Sequence, residues 1–177
     1  ESVTDGTSNT IVASEIATSS NRGDTSPRVK GGVYGADYTT GTKSARDNCF
    51  LIAISSVDRN VLNTPLRRVW RGHWFADGRT ASTGFTTVIK PNGPSCAQGN
   101  DDNTGANNYT AQSYHLGGVN ALRLDGSVYF VSDTIDNANL SDAAGNPINA
   151  AGPTSGESPY GVWGALGTIN GGESVSP

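Results

Sequence analysis

The stretch 113–131, SYHLGGVNALRLDGSVYFV, constrains this chain more than any other. Asp125-Gly126 separates two runs of strand-forming residues, 119–124 and 127–131. A two-residue Asp-Gly loop predicts a β-hairpin with a type I′ turn, because that turn needs φ > 0 at both central positions and its twist matches the strands it joins. The register that follows pairs Leu124 with Ser127, Arg123 with Val128, Leu122 with Tyr129 and Ala121 with Phe130. Leu122, Leu124 and Tyr129 then share one face, and Ala121, Val128 and Phe130 share the other with Arg123. Two largely apolar faces suit a central hairpin covered on both sides. Gly117-Gly118 breaks the first strand upstream, and His115 lies just beyond that break.

A chain of 177 residues is expected to form one domain, 1–177, with a real core. Lys+Arg 12 against Asp+Glu 16 gives 12 − 16 = −4, an acidic balance that argues against nucleic acid as a partner. Charged residues make up only 16% and there are 23 glycines, so long amphipathic surface helices are not expected and a turn-rich β protein is. Cys49 and Cys96, an even pair in such a chain, predict one disulfide formed in an oxidising compartment. Closing so long a loop contributes on the order of 3–4 kcal/mol. No apolar run reaches the roughly 18–20 residues of a membrane helix. The chain starts at Glu1 without Met or signal peptide, so it reads as a processed or truncated piece.

Taken in order, Asp5 or Thr7 is placed to cap a short turn running into a strand near 11–17. Arg22-Gly23-Asp24 sits in a loop where turn chemistry explains it. Strand character over 29–38 is broken by glycines. A helix is expected over 45–55, and a second over 65–71, where Thr64-Pro65 resembles an N-cap followed by Pro at the first helical position. Arg67, Arg68 and Arg71 then form a solvated helix face. A strand over 83–89 ends at Pro91-Asn92-Gly93-Pro94. The loop 98–108 carries Asp101, Asp102 and Asn103, oxygen donors that make calcium a candidate ligand, although the spacing is not that of an EF-hand. Asn108 and Asn139 head Asn-x-Ser/Thr acceptor patterns. Residues 137–159 read as an exposed insertion, and 160–167 as a short closing element.

No catalytic constellation emerges, and the chain is not expected to be an enzyme. It has two histidines, His73 and His115, and no Gly-x-Ser-x-Gly elbow. Its histidines and cysteines do not fall at zinc spacing. His115 and Asp125 stand about 30 Å apart along an extended chain unless the Gly117-Gly118 break folds it back. His115 is read as satisfying backbone groups at the hairpin entrance. Trp70, Trp74, Tyr109, Tyr114 and Trp163 are the residues that a sugar-stacking platform would use.

Four blocks, in order, carry a resemblance. They are Thr4-Asp5-Gly6-Thr7-Ser8-Asn9-Thr10-Ile11 ending near Glu15; Trp74-Phe75-Ala76-Asp77-Gly78-Arg79 with Thr83-Gly84-Phe85 and Pro91-Asn92-Gly93-Pro94-Ser95-Cys96; His115 followed by nine residues and Asp125-Gly126, with Gly117, Gly118 and Asn120 inside; and Val162-Trp163-Gly164-Ala165-Leu166-Gly167-Thr168 with Gly171-Gly172-Glu173. Together they resemble the prepilin-like proteins with a His-x9-Asp-Gly domain, which are similar to type IV pilins and type II secretion pseudopilins. Leu116 stands where that family often has proline, and 137–159 lengthens a connection that is often short. The prepilin cleavage site and long N-terminal helix of the family are not in this chain, which resembles the globular part alone.

The resemblance implies an α+β, β-rich pilin-like head: an antiparallel sheet with a few short helices. It implies a bacterial, exported protein at the cell surface, assembled with copies of itself, other pilins or secretion components, and touching the membrane only through the N-terminal helix. The function expected is that of a structural subunit of an extracellular pilus-like filament or secretion pseudopilus. The alternative is an exported glycan- or calcium-binding module.

Overall fold

Asp125 does not adopt the positive φ that a type I′ turn requires; Gly126 does, at +85°. The hairpin therefore closes with three loop residues, Leu124, Asp125 and Gly126, rather than two. Gly126 N–H donates to Arg123 O at 3.0 Å, and Arg123 N–H donates to Ser127 O at 2.9 Å. This is a turn followed by a left-handed glycine, the usual three-residue solution. Ser127 N–H and hydroxyl donate to the Asp125 carboxylate at 2.8 and 2.6 Å, which stabilises the loop. The hairpin was correctly placed by sequence, but its register moves by one residue. Leu122 pairs with Val128, Ala121 with Tyr129, Asn120 with Phe130 and Val119 with Val131.

The structure is a computed structural model and describes residues 3–19, 26–35, 49, 53–68, 71–97, 107–138 and 156–173. Strand β1 (Ile11–Ser14) is followed by β2 (Val33–Gly35), β3 (Ser95–Ala97), β4 (Gly118–Arg123) and β5 (Val128–Ser132), and then by helix α1 (Gly161–Ala165). β1, β4 and β5 form an antiparallel sheet in the order β1-β4-β5, while β2 and β3 pair in parallel. The result is an α+β chain with short helical content.

The shifted register decides which side chains are buried, because the faces of a strand alternate. Val119, Ala121 and Val131 turn inward with Ile11, against Trp163 and Leu166. Each fully buried side chain of the larger kind contributes roughly 1.5–3 kcal/mol. Arg123 closes that face by lying over the Tyr129 ring, 3.8 Å from its centroid. The opposite face is not covered as expected: among the described residues, Val128 remains 66% and Phe130 50% exposed.

Two clasps join the ends of the chain. Asp5 is buried, and its carboxylate accepts the N–H groups of Gly171 and Gly172, both at 2.8 Å, and the Thr168 hydroxyl at 2.9 Å. Burial alone would raise its pKa, but these three donors outweigh it and hold the carboxyl below its usual range. In the second clasp, Ile11 N–H donates to Leu166 O at 2.8 Å. Leu124 and Asp125 at the hairpin tip donate to Thr10 O and Thr7 O, so the first block also seats the hairpin.

The Cys49–Cys96 disulfide is formed and lies in a second core with Val29, Tyr34, Ala53, Leu62 and Ile89. Of the helix expected over 45–55, Cys49 is the one described residue before Ala53. Ala53 N–H donates to Cys49 O, and Ile54 already bridges Leu62 in an extended pairing. The helix expected over 65–71 does not form in its described part. Leu66 bridges Tyr34, Gly35 N–H donates to Pro65 O at 2.7 Å, and Arg67 N–H donates to Val33 O at 2.8 Å. Pairing alongside β2 satisfies the backbone groups that a helix would have used. Over 83–89 no strand forms either; the segment is irregular apart from a bridge between Thr86 and Thr110. The start of the expected insertion is anchored: Asn137 accepts Lys90 N–H at 2.9 Å and donates to Val88 O at 3.1 Å, while 139–155 lie outside the described residues.

Candidate functional site

His115 stands at the mouth of a surface pocket of about 510 Å³ that Glu15, Gln112, Ser113 and Tyr114 also line. β1 continues into Glu15, whose backbone accepts Gln112 N–H at 2.9 Å and donates to Asn120 O at 3.2 Å, so the carboxylate is delivered to the start of β4. One carboxylate oxygen accepts Asn120 N–H at 2.7 Å and its side-chain amide at 3.3 Å; the other lies 2.9 Å from His115 Nε2. Burial acts to raise the Glu15 carboxyl, but the Asn120 donors and the His115 ring outweigh it and leave its pKa lowered. Glu15 therefore sits ionised as an acceptor.

Gly117 and Gly118 serve this arrangement in different ways. Gly117 has φ +79°, which turns the chain between His115 and β4. At Gly118 a Cβ would stand 2.1 Å from Val131 O and 2.8 Å from the Phe130 ring, so only glycine allows β4 to approach β5 here. Gly118 O accepts both the Ser113 hydroxyl at 2.9 Å and the Asn92 amide at 3.2 Å. Asn92 also accepts Ser113 N–H at 2.9 Å. The Asn92-Gly93 block and the His115 motif are thus parts of one hydrogen-bonded unit.

The side chains of this unit hold backbone in place. The Ser113 hydroxyl donates to Gly118 O and accepts His115 N–H at 3.0 Å, so it serves backbone groups. His115 faces Glu15. The motif's Asp125 is engaged with Ser127 at the other end of the hairpin, and the two motif residues are not brought together.

Arg71 departs most from expectation. Read as part of a solvated helix face, it is fully buried. Nη1 donates to Thr80 O at 3.0 Å and to Gly84 O at 2.6 Å, Nη2 donates to Thr110 O at 2.9 Å, and the guanidinium lies 5.3 Å from the Tyr109 ring centroid. Burial pulls its pKa down to about 10, so it stays charged at neutral pH. Gln112, also fully buried, accepts Gly31 N–H at 3.0 Å and donates to Val29 O at 2.9 Å and Gly93 O at 2.7 Å. The sequence marked Arg71 only as part of a basic cluster, Gln112 not at all, and Glu15 only as the end of a block. The one available signal was a charge in a charge-poor chain.

The remaining candidates separate. Asp101, Asp102 and Asn103 lie outside the described residues, as do Asn139, Trp70 and Arg22-Gly23-Asp24. Among the described residues no group of three or more His, Cys, Asp or Glu side chains could hold a metal ion. Asn108 is buried and its backbone pairs with Cys96 in both directions, so a glycan on that amide does not fit the folded chain. The aromatic platform does not assemble: Tyr109 and Trp163 are core residues, the latter donating Nε1–H to Ile89 O at 2.9 Å, while Trp74 and Tyr114 are exposed.

Fold and site together define an α+β, disulfide-bonded domain in which the most distinctive residues organise a hairpin entrance. The chain belongs to the family described as proteins of unknown function, DUF1559, which matches residues 1–138. The match takes in the Asp5 block, the Glu15–His115 pair and the whole hairpin, and stops short of the Trp163 segment that packs beneath them. No curated protein and no solved structure matches the chain.

Proposed function

We propose that this chain is a structural subunit of an extracellular pilus-like filament or type II secretion-type pseudopilus, with copies of itself, other pilins or secretion components as partners and with no catalytic role. The observation that carries this reading is the open apolar face of the three-stranded sheet. Leu122, Val128 and Phe130 point outward there, with Ala13 of β1 paired opposite Leu122. Contiguous exposed apolar surface of this kind usually marks an interaction site. Copies that meet through unlike surfaces, without closing a ring, build a helical filament. The four ordered blocks that resemble prepilin-like proteins support the same reading. So does the disulfide, which fits an oxidising compartment outside the cytoplasm. On this reading His115, Gly117, Gly118, Asn120, Asp125 and Gly126 shape the hairpin that presents the face.

The test is immunogold electron microscopy of cells expressing the full-length gene product, with antibody raised against this domain. Labelled surface fibres, lost in a Val128→Ser/Phe130→Ser variant that is still exported, are the expected result. A native protein that is monomeric and never found in fibres would overturn the proposal.

A second reading, an exported glycan- or calcium-binding module, is favoured by Trp74, exposed beside Phe75 on a turn that Asp77 and Arg79 hold rigid. Affinity for a polysaccharide, lost in Trp74→Ala with the fold intact, would support it.

A further inference from the structure

Three pockets run in series along one side of the molecule. The first, about 680 Å³, and the second, about 420 Å³, share Arg59 and Asn92; the second shares Tyr114 with the pocket beside His115. Lys90 lines the first, and Arg28, Lys30 and Arg59 line the second. The chain carries only 12 basic residues and a net charge of −4, so four in one groove are a local reversal of sign. Among the described residues, no ion pair or side-chain hydrogen bond engages these four cations; Lys30 Nζ lies 5.5 Å from the Tyr114 ring centroid. Of the three acids lining these pockets, Asp58 is already committed, accepting Asn60 N–H at 2.9 Å and its amide at 3.2 Å, Glu15 is held by Asn120 and His115, and Asp133 lines the far end.

The groove floor is built rather than incidental. Buried Gln112 fixes Val29 and Gly31 on either side of Lys30, Arg28 bridges Val61, and Asn92 ties Ser113 next to Tyr114. Unpaired cations on a fixed backbone lose little on meeting an anion, and a guanidinium fork matches a carboxylate bidentately.

The geometry points to a binding site for an acidic polysaccharide, a linear polymer of carboxylated sugars, lying along this groove. Arg28, Arg59 and Lys90 take the carboxylates, Tyr114 supports a sugar ring, and the Asn60 side-chain oxygen suits a hydroxyl. The linked pockets fit an extended ligand better than a small anion. Three acids along the groove and a negative chain disfavour the denser charge of a nucleic acid. The inference does not depend on filament assembly; it concerns a different surface from the open sheet face.

The test is affinity electrophoresis and calorimetry of the 177-residue chain with polygalacturonate as the carboxylated probe, dextran as the neutral one and single-stranded DNA as the phosphate one. The expected result is binding to polygalacturonate alone, weakening as salt rises. Arg28→Ala/Arg59→Ala should weaken it about tenfold or more, as loss of two charge-assisted bonds requires. Tyr114→Ala should weaken it by about threefold to tenfold. Arg68→Ala, an exposed cation that lines none of the three pockets, should bind as wild type. Far-UV circular dichroism of the variants should match wild type, since among the described residues neither guanidinium holds a folded contact. No binding by the wild-type chain, equal loss in Arg68→Ala, unchanged affinity in the double variant, or equally tight DNA binding would each overturn the assignment.

Discussion

Gly171 donates its N–H to the Asp5 carboxylate at 2.8 Å, across 166 positions of sequence. With Gly172 and Thr168 completing the set, one side chain holds both ends of the chain together. Asp5→Ala leaves buried donors without an acceptor and should lower stability by about 2–4 kcal/mol in urea unfolding. The pH dependence has a definite sign. The folded carboxyl lies below the ordinary value of 3.8, so its contribution is fully present above that value and is lost as pH falls through the folded value. Asp5→Asn should flatten the acid limb of the stability profile. An unchanged limb would show that Asp5 does not couple folding to pH.

Glu15 repeats this logic at the hairpin entrance. Its folded pKa is likewise depressed below 4.5, so its contribution is present at neutral pH and declines on acidification below that value. Glu15→Gln should cost about 1–2 kcal/mol at pH 7, because one oxygen is replaced by a donor facing Asn120 or His115. His115→Ala should cost less, about 0–1 kcal/mol, since the ring is largely exposed and exposed pairs contribute little. Denaturant midpoints at pH 7 check the order; a larger effect at His115 would contradict it.

The two adjacent glycines make a sharper comparison. Gly117→Ala meets no atom within 4 Å and suffers only its positive φ, so about 1 kcal/mol is expected. Gly118→Ala would place a methyl 2.1 Å from Val131 O and force β4 from β5. A loss of about 3 kcal/mol or more is expected there, within the range for overpacking in a core. Thermal unfolding of both variants gives the ranking, and Gly117→Ala being the worse would reject this account of the motif.

Reduction of Cys49–Cys96 should lower stability by about 3–4 kcal/mol if the bond acts by limiting the unfolded chain, given its sequence separation of 47. Comparing urea unfolding of the oxidised chain with that of a Cys49→Ser/Cys96→Ser variant tests this. Equal midpoints would mean that the core around Val29, Tyr34 and Ile89 holds without the bond.

What was legible in the sequence was mostly local. Asp125-Gly126 located the hairpin because few dipeptides favour its turn, and two cysteines in a charge-poor chain indicated their own pairing. The register was misread because Asp-Gly also suits a three-residue loop in which only the glycine is left-handed. Thr64-Pro65 reads as a helix start, yet Pro65 and Leu66 are drawn into pairing beside β2, a long-range effect that no local pattern encodes. Glu15 and His115 were each visible, but their meeting depends on β1 landing beside β4, 100 residues away in sequence.

Arg71 was the least legible of all, because arginine is ordinarily a surface residue. Among the described residues, its charge is answered by three carbonyl oxygens and an aromatic ring rather than by a carboxylate. Two effects compete. A buried, unpaired cation is costly, which would make an apolar replacement tolerable. Against that, Thr80 O, Gly84 O and Thr110 O would lose this donor together, the last buried and the other two partly so, and an unsatisfied buried acceptor costs about 1–3 kcal/mol. These losses exceed the relief from removing one cation, even though its Nε is buried without a hydrogen-bond partner among the described residues. Arg71→Met, which keeps most of the volume, should therefore destabilise by about 2–4 kcal/mol, and Arg71→Ala by more because it also leaves a cavity. Arg71→Lys should fall between wild type and Met, since a point charge on a shorter reach cannot fork to carbonyls on both sides. Urea unfolding at neutral pH reads the series directly. An Arg71→Met variant as stable as wild type would mean that desolvation of the cation, not satisfaction of the carbonyls, is the larger effect at this position.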